Sequence, residues 1–197
     1  MATTFADLKR FLDEIELKYD AHEEHNVIAV GFNAEAADTT FRDEDGDPHV
    51  QILVRLVEDG EFCTAFVPQA WKLGDCKYRG AVCEAVARIQ SKVKLLRFDL
   101  DDEGHLQPNI EISLEEAPMC VEQLHRAISS LLMAVRHFDL VIRHAMETGK
   151  VDLDLAKKTI PQPPADISRI MELGESAGGL EALERLLGDS DAPPIQD

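Results

Sequence analysis

The chain is 197 residues long, with 45% hydrophobic and 29% charged residues, which suits one globular domain carrying an appended tail. Its formal net charge of -18 repels nucleic-acid phosphates and anionic lipid headgroups, so both are excluded as expected partners, and basic or amphipathic protein segments are favoured. No stretch reaches the roughly 20 apolar residues of a membrane-crossing helix, and no membrane contact is expected.

Residues 4–19 have the pattern of an amphipathic helix. Thr4 is placed to cap it with Asp7 three residues on, and Phe5, Leu8, Leu12, Ile15 and Tyr19 recur at helical spacing. Three strands are expected next, at 27–34, 49–57 and 61–67, the last two joined by Glu58-Asp-Gly60, a strong hairpin signal. Residues 78–92 form a second helix, with Val82, Ala85, Val86 and Ile89 on one face. Strands at 94–100 and 109–114 flank the turn Asp101-Asp-Glu-Gly-His105, and Ile110, Ile112 and Leu114 alternate with polar residues. Pro118 then opens a helix that runs to about Thr148, with Gly149 as its stop.

That last helix carries Val121, Leu124, Ile128, Leu131, Leu132, Val135, Phe138, Val141, Ile142 and Ala145, a stripe wider than one core-facing seam. About 30 helical residues also span roughly 45 Å, longer than a small domain. Part of the helix is therefore expected against a sheet and part against a second subunit. Leu131, Val135, Phe138 and Ile142, with the single Trp71, are the side chains expected at a partner or dimer contact, although a lone tryptophan is more often a core residue.

After residue 150 the composition changes. Pro161-Gln-Pro-Pro164 is a linker signature, two short amphipathic segments follow, and the acidic 189–197 end is expected to be disordered. Two parts are expected: a domain over 1–150 and a Pro-containing linker and tail over 151–197.

The chain carries no catalytic signature. Asp43, Asp45 and Asp47 surround Gly46, but the register is wrong for a calcium loop, and turn chemistry explains the residues. His137 and His144 lie seven apart, His125 is near, and the metal-binding i, i+4 pair is missing. His22 and His25 flank a helix end. Cys63, Cys76, Cys83 and Cys120 form no Cys-x-x-Cys pair, and Met1–Phe5 shows no basic region before an apolar run. Scattered thiols of this kind are expected in a reducing cytoplasm. No nucleophile motif or phosphate loop occurs. No catalytic, metal or cofactor residue is expected, and the chain is expected not to be an enzyme. From Lys72 to Arg97 seven basic residues face only Asp75 and Glu84; pairing with surrounding acids competes with an anionic ligand there.

The order α-β-β-β-α-β-β-α resembles type III secretion chaperones and the YbjN-like proteins, described as proposed bacterial sensory-transduction regulators. The stretches that carry the resemblance are Ile52-Leu-Val-Arg-Leu-Val-Glu-Asp-Gly-Glu-Phe62, Arg97-Phe-Asp-Leu-Asp-Asp-Glu-Gly104 and Gln123-Leu124-His125, within residues 4–148. The resemblance implies an α+β domain with an antiparallel five-stranded sheet and a long C-terminal helix. It also implies an acidic homodimer without catalytic residues that binds a protein partner the sequence does not identify. Contact is expected on the exposed sheet face or along the groove of the first helix. The alternatives are a dedicated secretion chaperone for one effector, and an enzyme with an unrecognised site.

Overall fold

Thr4 caps the first helix reciprocally: its hydroxyl accepts the Asp7 N–H at 3.2 Å, and the Asp7 carboxylate accepts the Thr4 N–H at 3.0 Å. The computed structural model describes residues 2–33, 41–42, 45–114 and 117–158. Helix α1 spans Phe5–Glu14 and stops short of the expected 4–19. Glu16 adopts a left-handed φ of 56°, and the Leu17 and Glu16 N–H groups bond back to Leu12 and Asp13 carbonyls. This is a Schellman closure without its usual glycine, which is why the sequence hides it. Tyr19, expected on the helix, instead begins strand β1 (Tyr19–His22).

The remaining elements are β2 (Val27–Asn33), β3 (His49–Val57), β4 (Phe62–Phe66), β5 (Trp71–Lys72), α2 (Arg79–Gln90), β6 (Leu96–Leu100), β7 (His105–Ser113) and α3 (Val121–Thr148). The fold is α+β with an antiparallel sheet and a long C-terminal helix, and all five expected strands are present. Among the described residues the sheet has seven strands, not five, because β1 and β5 are added. Both are short, four and two residues, too brief for an alternating pattern to be visible in sequence. The sheet runs β1-β2-β3-β4-β7; β5 lies beside β7 on the same side as β4, and β6 pairs with its other side. Among the described residues β1 and β6 are the outermost strands.

One sheet face is filled. Ile28, Val30, Val50, Ile52, Val54, Cys63, Ala65 and Ile110 are buried on it, in register across β2, β3, β4 and β7. Helix α3 packs against β3, β4 and β7, and α1, α2 and the 3-10 segment Leu153–Lys158 pack against α3. Between Leu131 and Ile142 only Met133 and Leu140 of α3 are not buried. The wide apolar stripe from Leu131 to Ile142 is thus largely buried within the one chain. Trp71, Leu131, Val135, Phe138 and Ile142 are all at most 4% exposed, so the five expected partner contacts are core residues.

Gly149 closes α3 with the expected left-handed φ of 72° and packs on the Tyr78 ring. Chain packing on α3 continues to Ala156, past residue 150 where the expected domain ends. The proline linker and both amphipathic tail segments lie outside the described residues.

Gly60 is required twice over. Its φ is 89°, and a Cβ there would sit 2.2 Å from the Thr3 carbonyl oxygen where the N-terminal segment crosses the β3–β4 turn. Gly60→Ala should cost about 3 kcal/mol or more, against about 1–2 kcal/mol for Gly46→Ala, whose φ is 87° in open space. Urea titration followed by circular dichroism measures the gap; equal losses would contradict the close approach.

Burial pushes the His137 imidazole below its ordinary value of 6.5, since protonation would place a cation inside the helix layer. The unfolded chain takes that proton more readily, so this stability is complete above the unfolded value and is lost as pH falls below it. The denaturation midpoint should fall between about pH 7.5 and about pH 5.5, and His137→Leu should make that decline shallower. An unchanged slope in the variant would contradict the assignment.

Candidate protein-interaction site

The opposite sheet face carries no helix among the described residues. Strand alternation sends Val27 and Ala29 of β2, Leu53 and Val57 of β3, and Phe62 and Phe66 of β4 to this side. Ala29 stands opposite Leu53 and Leu53 opposite Phe66, while Val57 stands opposite Phe62. These six side chains are half-buried and are not among the residues that form the core or pack against it. The Arg55 guanidinium lies over the Phe66 ring, 5.8 Å from its centroid. The result is an apolar band across three strands with one cation laid on it.

A polar cluster bounds the band on the β6–β7 side. The Arg97 Nε–H donates to Asn109 Oδ1 at 3.1 Å, and the guanidinium meets Glu111 at 3.2 Å. The Asn109 amide donates in turn to Asp99. On the other side Gly31 has no side chain, and the His49 ring occupies the space a Cβ would fill.

The other sequence candidates have structural positions. Trp71 donates its indole N–H to Asp139 at 2.8 Å and Asp139 accepts from Arg143 at 3.0 Å, while Phe41 and Phe98 pack against the indole ring. This network pins β5 to α3 deep in the core. His125 and His137 are buried and His144 is half-buried, so the three do not form a surface group. Burial raises the Cys63 thiol to about 12, which removes its reactivity at neutral pH. Within the basic stretch Arg88 pairs with Glu84, Arg97 pairs with Glu111, and Lys77 lies over the Tyr78 ring. Among the described residues no three His, Cys, Asp or Glu side chains gather to hold a metal ion, and no helix is long and apolar enough to cross a membrane. Asp43 of the acidic loop lies outside the described residues. Helix α1 buries Leu8, Phe11 and Leu12, which leaves its groove little apolar surface.

Sequence reasoning missed Leu53, Phe62 and Phe66 as surface residues. Both parities of β3 are apolar, and the only signal was that Gln51 and Arg55 interrupt the odd one.

No family model matches the chain, and no curated protein matches it. Among solved structures, YbjN from E. coli, described as a proposed transcription regulator, aligns at a TM-score of 0.46 and 10% identity. That alignment covers 77% of this chain and 97% of the other. A chain of the HopA1-SchA chaperone–effector complex aligns at a TM-score of 0.46 and 12% identity, over 69% and 94% of the two chains. At that distance a functional reading has to come from this chain's own surfaces.

The two faces of β3 should respond oppositely to charge. Ile52→Asp should abolish folding, because it buries a carboxylate among apolar side chains, whereas Leu53→Asp should cost about 1 kcal/mol or less. Circular dichroism melts compare them, and an unfolded Leu53→Asp variant would contradict the assignment of faces.

Proposed function

We propose that this chain is a non-enzymatic, protein-binding domain of the cytoplasm that receives an amphipathic segment of another protein on its open sheet face. The carrying observation is the half-buried apolar band of Ala29, Leu53 and Phe66 with Val57 and Phe62, which no helix of the described chain covers. The occupant's chemistry follows from charge. Asp20, Glu58, Asp59, Glu61 and Glu111 border the band in a molecule of formal charge -18, which favours a segment with apolar side chains and basic flanks.

A regulator of the YbjN type and a chaperone holding one exported effector are two forms of this reading, and they differ in the partner that fills the face. Secretion-apparatus and effector genes beside this one would favour the chaperone form. The tail over 151–197 is assigned no part in the contact.

The test uses two fluorescent synthetic amphipathic peptides of equal length, one of leucine and lysine and one of leucine and glutamate. The full chain should bind the lysine peptide at micromolar concentration by fluorescence anisotropy, and Phe66→Asp should weaken binding roughly tenfold or more. Equal binding of the glutamate peptide, or no effect of Phe66→Asp, would overturn the reading.

A further inference from the structure

We propose that Arg55 is a specificity-determining residue of the open sheet face, and that the segment docking there presents an aspartate or glutamate to it from the middle of its apolar side. The proposal rests on the reading of this face as a protein-binding surface, and what it adds is the chemistry demanded of the occupant's centre.

Arg55 stands at the middle of the band. Along β3 its neighbours on the same face are Leu53 and Val57, and across the ladder it stands opposite Val27 of β2 and Thr64 of β4. Phe62 and Phe66 take the two diagonal positions on β4. The guanidinium lies over the Phe66 ring, and the residue is exposed.

The acids of the face are out of its reach or already engaged. In the row of Arg55 the nearest is Glu111 on β7, two strands away, roughly 10 Å at the usual strand spacing. Glu111 is held by Arg97 at 3.2 Å. Asp20 on β1 lies 3.5 Å from the His22 ring nitrogen. Among the described residues no carboxylate pairs with Arg55. In a chain with 38 acidic and 20 basic side chains, an arginine without an acid is a matter of position and not of scarcity.

While the face is open, water serves the guanidinium. A segment laid across Leu53, Val57 and Phe66 removes that water, and covering a cation without an anion is strongly unfavourable. A carboxylate set opposite Arg55 removes the penalty. It also forms charge-assisted hydrogen bonds in a place ringed by apolar side chains, where water competes little. Arginine is the charged residue enriched at the energetic centres of protein interfaces.

The face therefore presents charge in two zones. Asp20, Glu58, Asp59, Glu61 and Glu111 border the band, and one cation occupies its middle. The complementary segment is basic at its ends and carries one acid among the apolar residues between them. A segment that is only basic and apolar fits the border but strands Arg55.

The experiment measures anisotropy with three fluorescent leucine–lysine peptides, identical except at the central position of the leucine face, which holds glutamate, glutamine or lysine. The full chain should bind the glutamate peptide roughly tenfold or more tighter than the glutamine one. Arg55→Gln should bind these two equally. Arg55→Glu should invert the order and favour the lysine peptide. Arg55 is exposed on the face away from the core, and circular dichroism reports whether each variant is folded. Equal binding of the glutamate and glutamine peptides by wild type, or a folded Arg55→Gln that keeps the preference, would overturn this proposal, while the binding itself still supports the reading of the face. Binding of none of the three peptides would overturn both.

Discussion

A helix buried on nearly all sides constrains the rest of the molecule. Because α3 lies on β3, β4 and β7 and is flanked by α1, α2 and the Leu153–Lys158 turn, its Arg136, His137 and Asp139 side chains are enclosed with its leucines. Enclosed polar groups need partners. Asp139 meets that need by accepting from Trp71 and Arg143, which in turn fixes β5 beside β7 and places the indole against Phe41 and Phe98. The helical elements that pack around α3 gather on the α3 side, so among the described residues no helix lies on the other sheet face.

Legibility in the sequence followed the strength of local signals. Strand β3 falls at the expected residues because its apolar run is long and ends in Glu58-Asp-Gly60, where Gly60 must be left-handed. Helix α3 stops at Gly149 for the same reason. The end of α1 was hidden because glutamate, not glycine, occupies the left-handed position at residue 16. Strands β1 and β5 exist only through pairing with β2 and β7, a nonlocal condition that four- and two-residue segments cannot announce. The candidate site was less legible still. An apolar stripe says that side chains leave water but not what covers them, so Leu131, Val135, Phe138 and Ile142 looked like interface residues until the layers of this chain were seen to enclose them. Conversely, nothing local marked Leu53 and Phe66 as the residues of the uncovered face.

The sheet face offers side chains without backbone groups, so an occupant is selected by apolar fit and by the acidic border.

Among the described residues one sheet face is open while the other is core. Hydroxyl-radical footprinting of the full chain reads this residue by residue. Rapid oxidation of Leu53, Phe62 and Phe66 is expected, with protection of Trp71, Leu131 and Phe138. Protection of Phe62 and Phe66 to the level of Phe138 would contradict it, because the face assigned to a partner would then already be covered.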